Sequence, residues 1–592
     1  MNGEKVTAWR AYARAQMSGM MGRLRHGLGI TAIGVVLGVI VAYAAILSFG
    51  AVDFILSLWQ PGGAPGRVGW QGLNLTLLLV PGLAGLAIGV LLVWLRPQKP
   101  VELADVIHAA HRPDPQVSRT AGYISLVKSI LALGAGSTTG LYGPLVVLGA
   151  SLAATTKRLL KLTPQYGEMA MGAGVAAAIS AAFSAPLAGI LFAHEVVLRH
   201  YSLRFFAPVT IASATAYVLA GEVLSLHITL LPSLETRLAG PLDILLLLVL
   251  GVLSGLLAVA VMRFITHLRE RMAQSTLPDW VRPALAGLAM GVLAHFAPSL
   301  LGPGLDTIAA MLQGEVPTGH MLVLLVLKIL ATGLCLALVF HGGVVAPALF
   351  IGAALGGLAA ALFGSLAPLT GYTPDNGLFV LAGMAAMASS VLGAPLAVIL
   401  LGLELSQNYA ATTAMMVTIV TANLLSSRLY TRSIFEPQLL AKGVDLSLGR
   451  ESLALQSTKV TALMSPDYLN LPATVSVGRA IERMAEAHCA EAHLVGEDDK
   501  WAGKICLYDL VSQPLDAMCL PLQERTPLIL QADDNALFAQ TAMRDFIGEG
   551  VPVLDNGTLV GIIHEADLFA HARMVTRTVW QHDHDDAVPS QN

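Results

Sequence analysis

The stretch Gly134–Leu152 most constrains how this chain can fold. It lies within an uncharged run between Lys128 and Lys157, and glycines interrupt its first half before Pro144 opens an apolar run. Proline is favoured in the first turn of a helix, because its missing N–H has no intrahelical acceptor there. We therefore expect a loop in apolar surroundings, followed by a helix whose buried N-terminus attracts an anion through its amides and dipole. The alternative is a packing segment, in which glycines only allow two helices to approach closely.

The pattern occurs a second time. Gly343–Pro347 again places a glycine and a proline before an apolar run. The segments Ala173–Glu195 and Ala382–Glu404 align without a gap, through a shared Ala-Pro-Leu-Ala sequence to a shared final glutamate. The chain therefore contains an internal duplication. Interrupted apolar segments at corresponding places in two halves indicate the binding site of a membrane transporter.

The composition agrees with a membrane location. Of the 592 residues, 55% are hydrophobic and 12% are charged, against roughly 25% charged residues in ordinary soluble proteins. The mean hydropathy is +0.68. The basic segment 1–29 favours a cytoplasmic N-terminus. The first two membrane spans are predicted at 30–50 and 73–95.

The later apolar segments, between 119 and 428, are often too short to cross a bilayer straight, which favours half-helices that meet inside the membrane. Segments 61–72 and 226–240 are rich in Gly, Pro and Ser and predict external loops. Lys128 and Lys328 lie near segment edges, where we expect their side chains to extend toward the membrane surface. Glu404 is expected to be a helix-end carboxylate at the interface.

The composition changes after about Arg432. A linker is predicted at 441–457, followed by two helix–strand–strand–helix units at 458–513 and 514–575 and a polar tail at 576–592. Asn556-Gly557 predicts a tight hairpin turn in the second unit. The four cysteines show no CxxC pair and no metal-ligand spacing, so no disulfide framework and no metal site are predicted.

These residues together resemble the CLC family of chloride channels and transporters, with a C-terminal pair of CBS domains. The most specific motifs are Gly140–Pro144, Ala181–Glu195, Gly342–Pro347 and Gly393–Glu404. The resemblance implies an all-α polytopic membrane protein with an inverted repeat and broken half-helices over residues 30–440, plus a small α/β CBS-pair domain. The two repeats then cover roughly 73–225 and 241–428. It further implies a homodimer in a bacterial inner membrane, with both termini cytoplasmic and one pathway per subunit for chloride or another small anion.

The resemblance also places the anion pathway on particular residues. They are Gly140, Leu141, Tyr142, Gly143, Pro144, Val344, Val345, Ala346, Pro347, Phe435 and Val101. The gating glutamate of the family falls on Tyr142, and its inner proton-carrying glutamate falls on Val196, directly after Glu195. A tyrosine hydroxyl is neutral at physiological pH and cannot compete as an anion, and valine has no proton to pass. We therefore expect passive anion conduction rather than chloride/proton exchange.

Two further positions depart from the family pattern. Phe435 replaces a tyrosine, and Val101 stands nearest to the position of a serine, so two hydroxyl donors are lost. The backbone amides of Val344 and Val345 remain. A site built from amides and dipoles favours weak binding and fast exit, which conduction requires. The loss of two donors lowers affinity by about 1 kcal/mol each.

In the CBS pair, the resemblance places a ribose-binding aspartate at Asp509 and at Asp567. The hydroxyl residues usually found three positions earlier are replaced by Cys506 and His564. Two roles stay open, namely adenine-nucleotide binding and a structural dimerisation module. No other cofactor is required, and no nucleic-acid partner is expected.

Three other functions stay open. The first is a chloride/proton antiporter with a non-standard proton route, through Tyr142 or Glu195. The second is a CBS-linked divalent-cation transporter, which should carry carboxylates inside its membrane segments, whereas the interior motifs here carry amides, glycines and almost no carboxylate. The third is an enzyme that uses the CBS pair as a sensor, although no cluster with catalytic spacing occurs outside the tail.

Overall fold

A computed structural model describes the chain in ranges that omit several short segments. They are 3–60, 69–70, 73–94, 101–112, 117–161, 165–223, 240–445, 448–496, 498–523 and 527–584. The predicted external loops at 61–72 and 226–240 fall largely outside these ranges. The chain forms two compact units, one of residues 1–110 and 114–442, the other of residues 111–113 and 443–592.

The first unit is almost entirely helical, because its segments are apolar and must satisfy their backbone groups internally. Its helices are α1 (Gly3–Trp59), α2 (Leu75–Trp94), α3 (Leu103–Ala110), α4 (Arg119–Gly134), α5 (Tyr142–Leu159), α6 (Gln165–Phe183), α7 (Pro186–Phe192), α8 (Leu203–Tyr217), α9 (Pro241–Ala273), α10 (Arg282–Phe296), α11 (Leu305–Leu312), α12 (Thr318–Ala337), α13 (Val345–Gly364), α14 (Ala367–Thr370), α15 (Asn376–Leu392), α16 (Pro395–Ser406), α17 (Tyr409–Leu429) and α18 (Glu436–Leu440). Strands β1 (Gly69–Trp70) and β2 (Leu73–Asn74) pair in antiparallel fashion. Helices α7 and α8 continue as π-helical turns over Ala193–Leu198 and Val218–Val223.

Helices of two length classes make up this unit. Among the described residues, six helical segments are long and apolar enough to cross a membrane: Thr31–Trp59, Leu75–Trp94, Pro241–Ala273, Thr318–Ala337, Val345–Gly364 and Tyr409–Leu429. Shorter apolar helices include Asn376–Leu392 and Pro395–Ser406. The predicted mixture of full spans and short helices is confirmed. The first span is longer than the predicted 30–50 and reaches Trp59, whose indole Nε1 donates to the Gly134 carbonyl oxygen at 2.8 Å.

The duplication is repeated in the helix packing. A Cβ on Gly149 of α5 would lie 2.3 Å from the carbonyl oxygen of Gly174 on α6. At the corresponding place in the second half, a Cβ on Gly352 of α13 would lie 2.4 Å from the carbonyl oxygen of Gly383 on α15. Small residues at such crossings allow membrane helices to approach closely. Along these two helices the glycines therefore allow close packing, as the alternative interpretation of the glycine pattern predicted.

The prediction for Lys128 and Lys328 is wrong. Their exposed fractions are 1% and 0%, so neither side chain reaches the surface of the unit. Lys328 Nζ donates to the carbonyl oxygens of Leu300 at 3.3 Å and Gly302 at 3.0 Å. It also lies 4.5 Å from the ring centroid of Phe350. These carbonyls belong to a turn and the loop after it, and the sequence around Lys328 gives no sign that they meet the lysine.

The second unit contains two short sheets, each followed by a helix. Its helices are α19 (Gly449–Ser457), α20 (Val477–Ala487), α21 (Leu507–Leu510), α22 (Ala536–Ala542) and α23 (Glu565–His584), and its strands are β3 (Asn470–Pro472), β4 (Glu491–Val495), β5 (Trp501–Cys506), β6 (Leu530–Gln531), β7 (Val551–Asp555) and β8 (Thr558–Ile563). The sheet orders are β3-β4-β5 and β6-β7-β8, and in each the first pair is parallel and the second antiparallel. Asn556 and Gly557 have φ of 51° and 85° between β7 and β8, which confirms the predicted hairpin turn. Helix α19 occupies part of the segment predicted as a linker, and α23 extends into the segment predicted as a polar tail.

Candidate functional site

The N-termini of α5 and α13 are held against each other by the loops that precede them. The Gly140 amide donates to the Gly343 carbonyl oxygen at 2.9 Å, and the Gly343 amide donates to the Gly140 carbonyl oxygen at 2.6 Å. This antiparallel bridge joins the two halves of the duplication. A Cβ on Gly343 would lie 2.9 Å from the Gly143 nitrogen, so only glycine permits this approach.

Neither helix has a side-chain cap at this end. The first intrahelical bonds are those of the Leu145 amide to Leu141 and the Ala348 amide to Val344. The amides of the preceding turn therefore have no intrahelical acceptor. Two helix N-termini that meet in a buried place with open amides form an anion-binding arrangement, because their partial positive charges add.

A cavity of about 100 Å³ lies at this junction, and we call it the α5–α13 cavity. Its lining consists of Val101, Glu102, Leu103, Ser125, Gly143, Pro144, Val147, Arg269, Cys335, Leu336, Val339, Phe340, His341, Gly342, Gly343, Val344, Val345, Ile434, Phe435 and Gln438. Most of the lining is backbone and apolar side chain. The polar side chains come from α4, α9, α12, α18 and the segments before α3 and α13.

The cavity contains about half of the residues that the resemblance indicated. Those that line it are Val101, Gly143, Pro144, Val344, Val345 and Phe435. The other five, Gly140, Leu141, Tyr142, Ala346 and Pro347, are not among the lining residues, although they belong to the two helix starts and the loop bridge. Val101 thus lies at the cavity even though the sequence around it lacks the motif of the family.

Tyr142 is buried, with 2% of its surface exposed. Its ring stacks on Phe183 of α6, with the centroids 3.9 Å apart and an interplanar angle of 15°. Phe49 of α1 lies against it at 6.4 Å. The ring is therefore packed between α6 and α1 and does not fill the α5–α13 cavity. Because aromatic stacking and burial both hold it there, the tyrosine leaves the helix N-terminus open.

Val196 and Glu195 lie in the π-helical turn after α7. Val196 is 3% exposed and offers no titratable group. The Glu195 carboxylate accepts from the amides of Leu396 at 3.1 Å and Ala397 at 2.8 Å, at the start of α16. Glu195 is thus the cap of a helix from the other half of the duplication.

Glu404 makes the reciprocal contact. Its carboxylate accepts from the amides of Leu187 at 2.7 Å and Ala188 at 2.9 Å, at the start of α7. Glu404 ends α16 as predicted. Both of its oxygens are bound to amides, and its expected position at the membrane interface stays a prediction. The sequence showed the shared glutamates but not that each reaches the helix of the other half.

Three polar residues that sequence reasoning missed line one side of the cavity. Arg269 Nη1 of α9 lies 3.1 Å from Glu102 Oε2, ahead of α3. The side-chain amide of Gln438 bridges this pair in the orientation that satisfies both groups. Its oxygen accepts a hydrogen bond from Arg269 Nη1 at 2.6 Å, and its nitrogen donates to Glu102 Oε2 at 3.1 Å. No local motif marks these residues, because they come from three elements far apart in sequence. His341 was also missed, although its position directly before the Gly342–Pro347 motif could have indicated it.

Helix α18 is tied to its surroundings by further ion pairs. Arg199 Nη2 lies 3.6 Å from Glu436 Oε1 of α18, and Lys442, just after the end of α18, pairs with Asp105 of α3. Phe435 and Gln438 are thereby held at the cavity by contacts on both sides of α18.

In the second unit, a cleft of about 90 Å³ lies between the two sheet units. Its lining comprises Asp467, Tyr468, Leu469, Cys489, Glu491, His493, Glu549, Gly550, Ile562 and His564. Glu491 accepts from Lys504 Nζ at 3.2 Å and from the Gly550 amide at 3.2 Å. Burial and the nearby Lys504 lower the pKa of His493 to about 4, despite the opposing Glu491. Asp509 and Asp567 lie on α21 and α23 and are not among the lining residues.

Comparison with known proteins identifies the family. A sequence profile described as voltage gated chloride channel matches residues 84–427, which is more than half of the chain. The chain belongs to the voltage gated chloride channel (CLC) family. A profile described as CBS domain matches residues 524–573, which include β6, β7 and β8.

Relatives of this CLC chain include the voltage-gated ClC-type chloride channels ClcB of Shigella flexneri and of Escherichia coli strain K12 / DH10B. Each is 29% identical over 377 residues, covering 60% of this chain and 85% of the relative.

Among solved structures, a slow cyanobacterial Cl⁻/H⁺ antiporter matches with a TM-score of 0.63 and 20% identity, over 70% of this chain and 97% of that one. A CLC-type fluoride/proton antiporter matches with a TM-score of 0.57 and 21% identity, over 69% and 96%. A eukaryotic CLC transporter matches with a TM-score of 0.62 and 17% identity, over 91% and 98%. At these identities the structures establish the fold.

The predicted fold is confirmed. The chain is an integral multi-pass CLC membrane protein with apolar helices of two lengths and a small α/β CBS domain at the C-terminus. Its family comprises anion channels and transporters.

Proposed function

We propose that this CLC protein conducts chloride, or another small anion, passively through one pathway in each subunit. The α5–α13 cavity carries the proposal, because two uncapped helix N-termini present their positive ends there. Among the lining residues, Glu102 is the one carboxylate, and it is paired with Arg269. Such surroundings attract anions and disfavour the divalent cations of the alternative transporter class.

The arrangement of three side chains supports passive conduction over exchange. Tyr142 is packed on Phe183, and Val196 is apolar and buried. Glu195, the remaining candidate for a proton route, accepts bonds from two amides and is committed to capping α16. A proton carrier must move between the two sides of the pathway, whereas the Glu195 carboxylate is held in place by both amides at the start of α16.

Chloride/proton antiport is the second candidate, and it is favoured by the similarity of the membrane unit to two antiporters. The reversal potential of purified, reconstituted protein under a fixed chloride gradient distinguishes the two. For a passive channel we expect about 59 mV per tenfold chloride gradient, unchanged when a pH gradient is added. A potential that moves with the pH gradient contradicts passive conduction. Val196→Glu is the variant to compare with the wild type in this measurement, because it places a carboxylate at the inner position where the family carries one.

We infer a homodimer from the resemblance and from an apolar surface on α7, α16 and α17. Leu187, Leu396 and Tyr409 are 47%, 47% and 76% exposed there. Lipid also covers exposed apolar surface in a membrane, so cross-linking decides. We expect Leu187→Cys to form a covalent dimer under oxidation in native membranes. Leu362→Cys on α13, 60% exposed, is the control and should stay monomeric. Equal cross-linking of both would contradict the assignment.

Regulation by the CBS pair is part of the proposal. An adenine nucleotide does not fit the described cleft, since about 90 Å³ is far below the ~300–1,000 Å³ of typical ligand pockets. Asp467, Glu491 and Glu549 would also repel its phosphates. We therefore expect ATP and AMP not to bind in this cleft. Nucleotide binding to the purified protein that is lost in Asp567→Ala would instead support the ribose site.

A further inference from the structure

The side chain of His341 lines the α5–α13 cavity directly before the start of α13. Its Nδ1 lies 3.2 Å from the Val339 carbonyl oxygen. A carbonyl oxygen only accepts, so Nδ1 carries the hydrogen of the neutral ring and Nε2 is an acceptor. Nε2 makes no hydrogen bond within the described residues and is not among their buried polar atoms without a partner. The free nitrogen therefore belongs to the part of the ring that is accessible from the cavity.

The backbone around His341 holds the ring in this place. Val339 has a φ of 60°, in the left-handed region that β-branched residues rarely adopt. This turn directs the Val339 carbonyl toward Nδ1. On the other side, Thr139 Oγ1 donates to the His341 carbonyl oxygen at 3.2 Å, which ties the residue to the loop before α5.

We propose that His341 is an anion-binding side chain of the pathway, and that protonation of Nε2 switches this binding on. The inference rests on the proposed function, because it assigns a further residue to the same pathway. In the neutral ring, the Nε2 lone pair faces the cavity and repels an anion. In the imidazolium, Nε2–H becomes a charged donor. The nearby side chains of Val101 and Phe435 supply no donor. Among the side chains of the lining that carry nitrogen, Arg269 and Gln438 are engaged with Glu102, which leaves the imidazole for this role.

Burial of the ring opposes a positive charge on His341 most strongly, and three charged groups from different elements act on it as well. They are Lys128 of α4, Arg269 of α9 and Glu102 ahead of α3. The elements that also face the cavity contribute neutral groups, Gln438 of α18 and Cys335 of α12. With the pathway empty, the two cations oppose a third positive charge, and Glu102 is paired with Arg269. An anion in the cavity compensates that charge.

Anion and proton therefore bind His341 and its cavity cooperatively. By linkage, acidification strengthens anion binding by the same factor by which the anion strengthens proton binding. The proton stays on the ring, so this cooperativity changes the size of the current and leaves its reversal potential at the chloride value. No proton is transported in the process.

The test uses the full-length protein in liposomes, with the same pH on both sides and a fixed chloride gradient. We expect the chloride current to rise about tenfold as the pH falls from about 7 to about 4, the effect of one charge-assisted hydrogen bond from a buried imidazole. The midpoint should move to higher pH as chloride is raised. His341→Gln offers an amide N–H at every pH and should give a current independent of pH. His320→Gln on α12, an exposed histidine, should keep the wild-type profile.

A pH profile that is unchanged in His341→Gln, or a wild-type current that does not respond to pH, overturns the proposal. Failure of the proposed function is seen separately, as a reversal potential that moves with a pH gradient. Chloride titration calorimetry of the purified protein at the same pH values gives an independent readout when currents are too small. There, tighter binding at low pH in wild type and not in His341→Gln supports the proposal, and equal binding at both pH values contradicts it. If His341→Gln does not fold, His341→Asn replaces it.

Discussion

Two pairs of helix N-termini in this protein differ in whether a side chain binds their first backbone amides. Helices α7 and α16 begin with Pro186 and Pro395, and their first amides are bound by Glu404 and Glu195. Helices α5 and α13 carry a proline in their first turn as well, yet neither has a side-chain cap. The starts of α5 and α13 are buried and open on a cavity, whereas those of α7 and α16 lie at a partly exposed apolar surface, where Leu187 and Leu396 are each 47% exposed.

The difference separates two roles in the duplicated fold: the capped pair stabilises the contact between the halves, and the uncapped pair stays available for function. Each glutamate satisfies the amides of a helix in the other half and stabilises the contact between halves. At the start of α5 no such carboxylate is present, because position 142 is a tyrosine. The Tyr142 ring stacks on Phe183. The amides at that junction stay available for an anion, at the expense of unsatisfied backbone groups when no anion is present.

A carboxylate at position 142 should turn the open pair into a capped one. We expect Tyr142→Glu to lower the chloride current by about 10- to 100-fold at neutral pH, since hydrogen bonds to charged groups are worth about 1.5–3 kcal/mol. The current should recover on acidification, as the carboxyl is protonated. Currents in planar bilayers measure this, and Tyr142→Phe, which keeps the stacked ring, serves as the control. A Tyr142→Glu current equal to wild type at neutral pH would show that the position does not face the pathway.

A methyl group at the loop bridge should disturb the same junction without adding charge. In Gly343→Ala, the new carbon would lie 2.9 Å from the Gly143 nitrogen and force the bridge apart. Overpacking of this kind costs about 1–3 kcal/mol, and we expect a clear loss of current together with a lower melting temperature. Gly319→Ala, where nothing lies within 4 Å, is the control. The geometry of the bridge is refuted if both variants conduct and melt like wild type.

Removing charge from the capped pair should affect stability and leave conduction intact. Glu195→Gln and Glu404→Gln should each destabilise the protein by about 1 kcal/mol, through weaker capping and a lost interaction with the helix dipole. The two losses should be similar, because the contacts are reciprocal. Thermal unfolding in detergent measures them, with the exposed Glu315→Gln as the control. A pH-dependent reversal potential that disappears in Glu195→Gln would instead assign this residue to a proton route.

The smallest effect is expected at the edge of the cavity. Glu102→Gln should raise the current and Arg269→Gln should lower it, by about twofold each, because partly exposed charges act weakly. Both changes should shrink at high salt, where such charges are screened. Current measurements at two ionic strengths check this. Changes of the same sign in both variants would indicate a structural role for the pair in place of an electrostatic one.

The internal duplication and the change of composition near Arg432 were readable from sequence because they are local patterns of glycine, proline and charge. The same holds for the hairpin at Asn556-Gly557, since both residues suit the backbone conformation that the turn requires. The predictions for Lys128 and Lys328 were wrong for a common reason. Each assumed that a lone charge in an apolar segment extends to water, whereas both side chains are buried and Lys328 has backbone partners elsewhere in the chain.

The sequence by itself determined that this protein is a duplicated membrane protein, and it placed a tyrosine at the start of α5, where the resemblance to the family predicts a glutamate. Tertiary structure decided which groups those helix starts meet. It placed the Tyr142 ring on Phe183, exchanged the glutamates between halves, and brought Glu102, Arg269 and His341 to one cavity. Such contacts join residues far apart in the chain and depend on helix packing, so no local pattern encodes them.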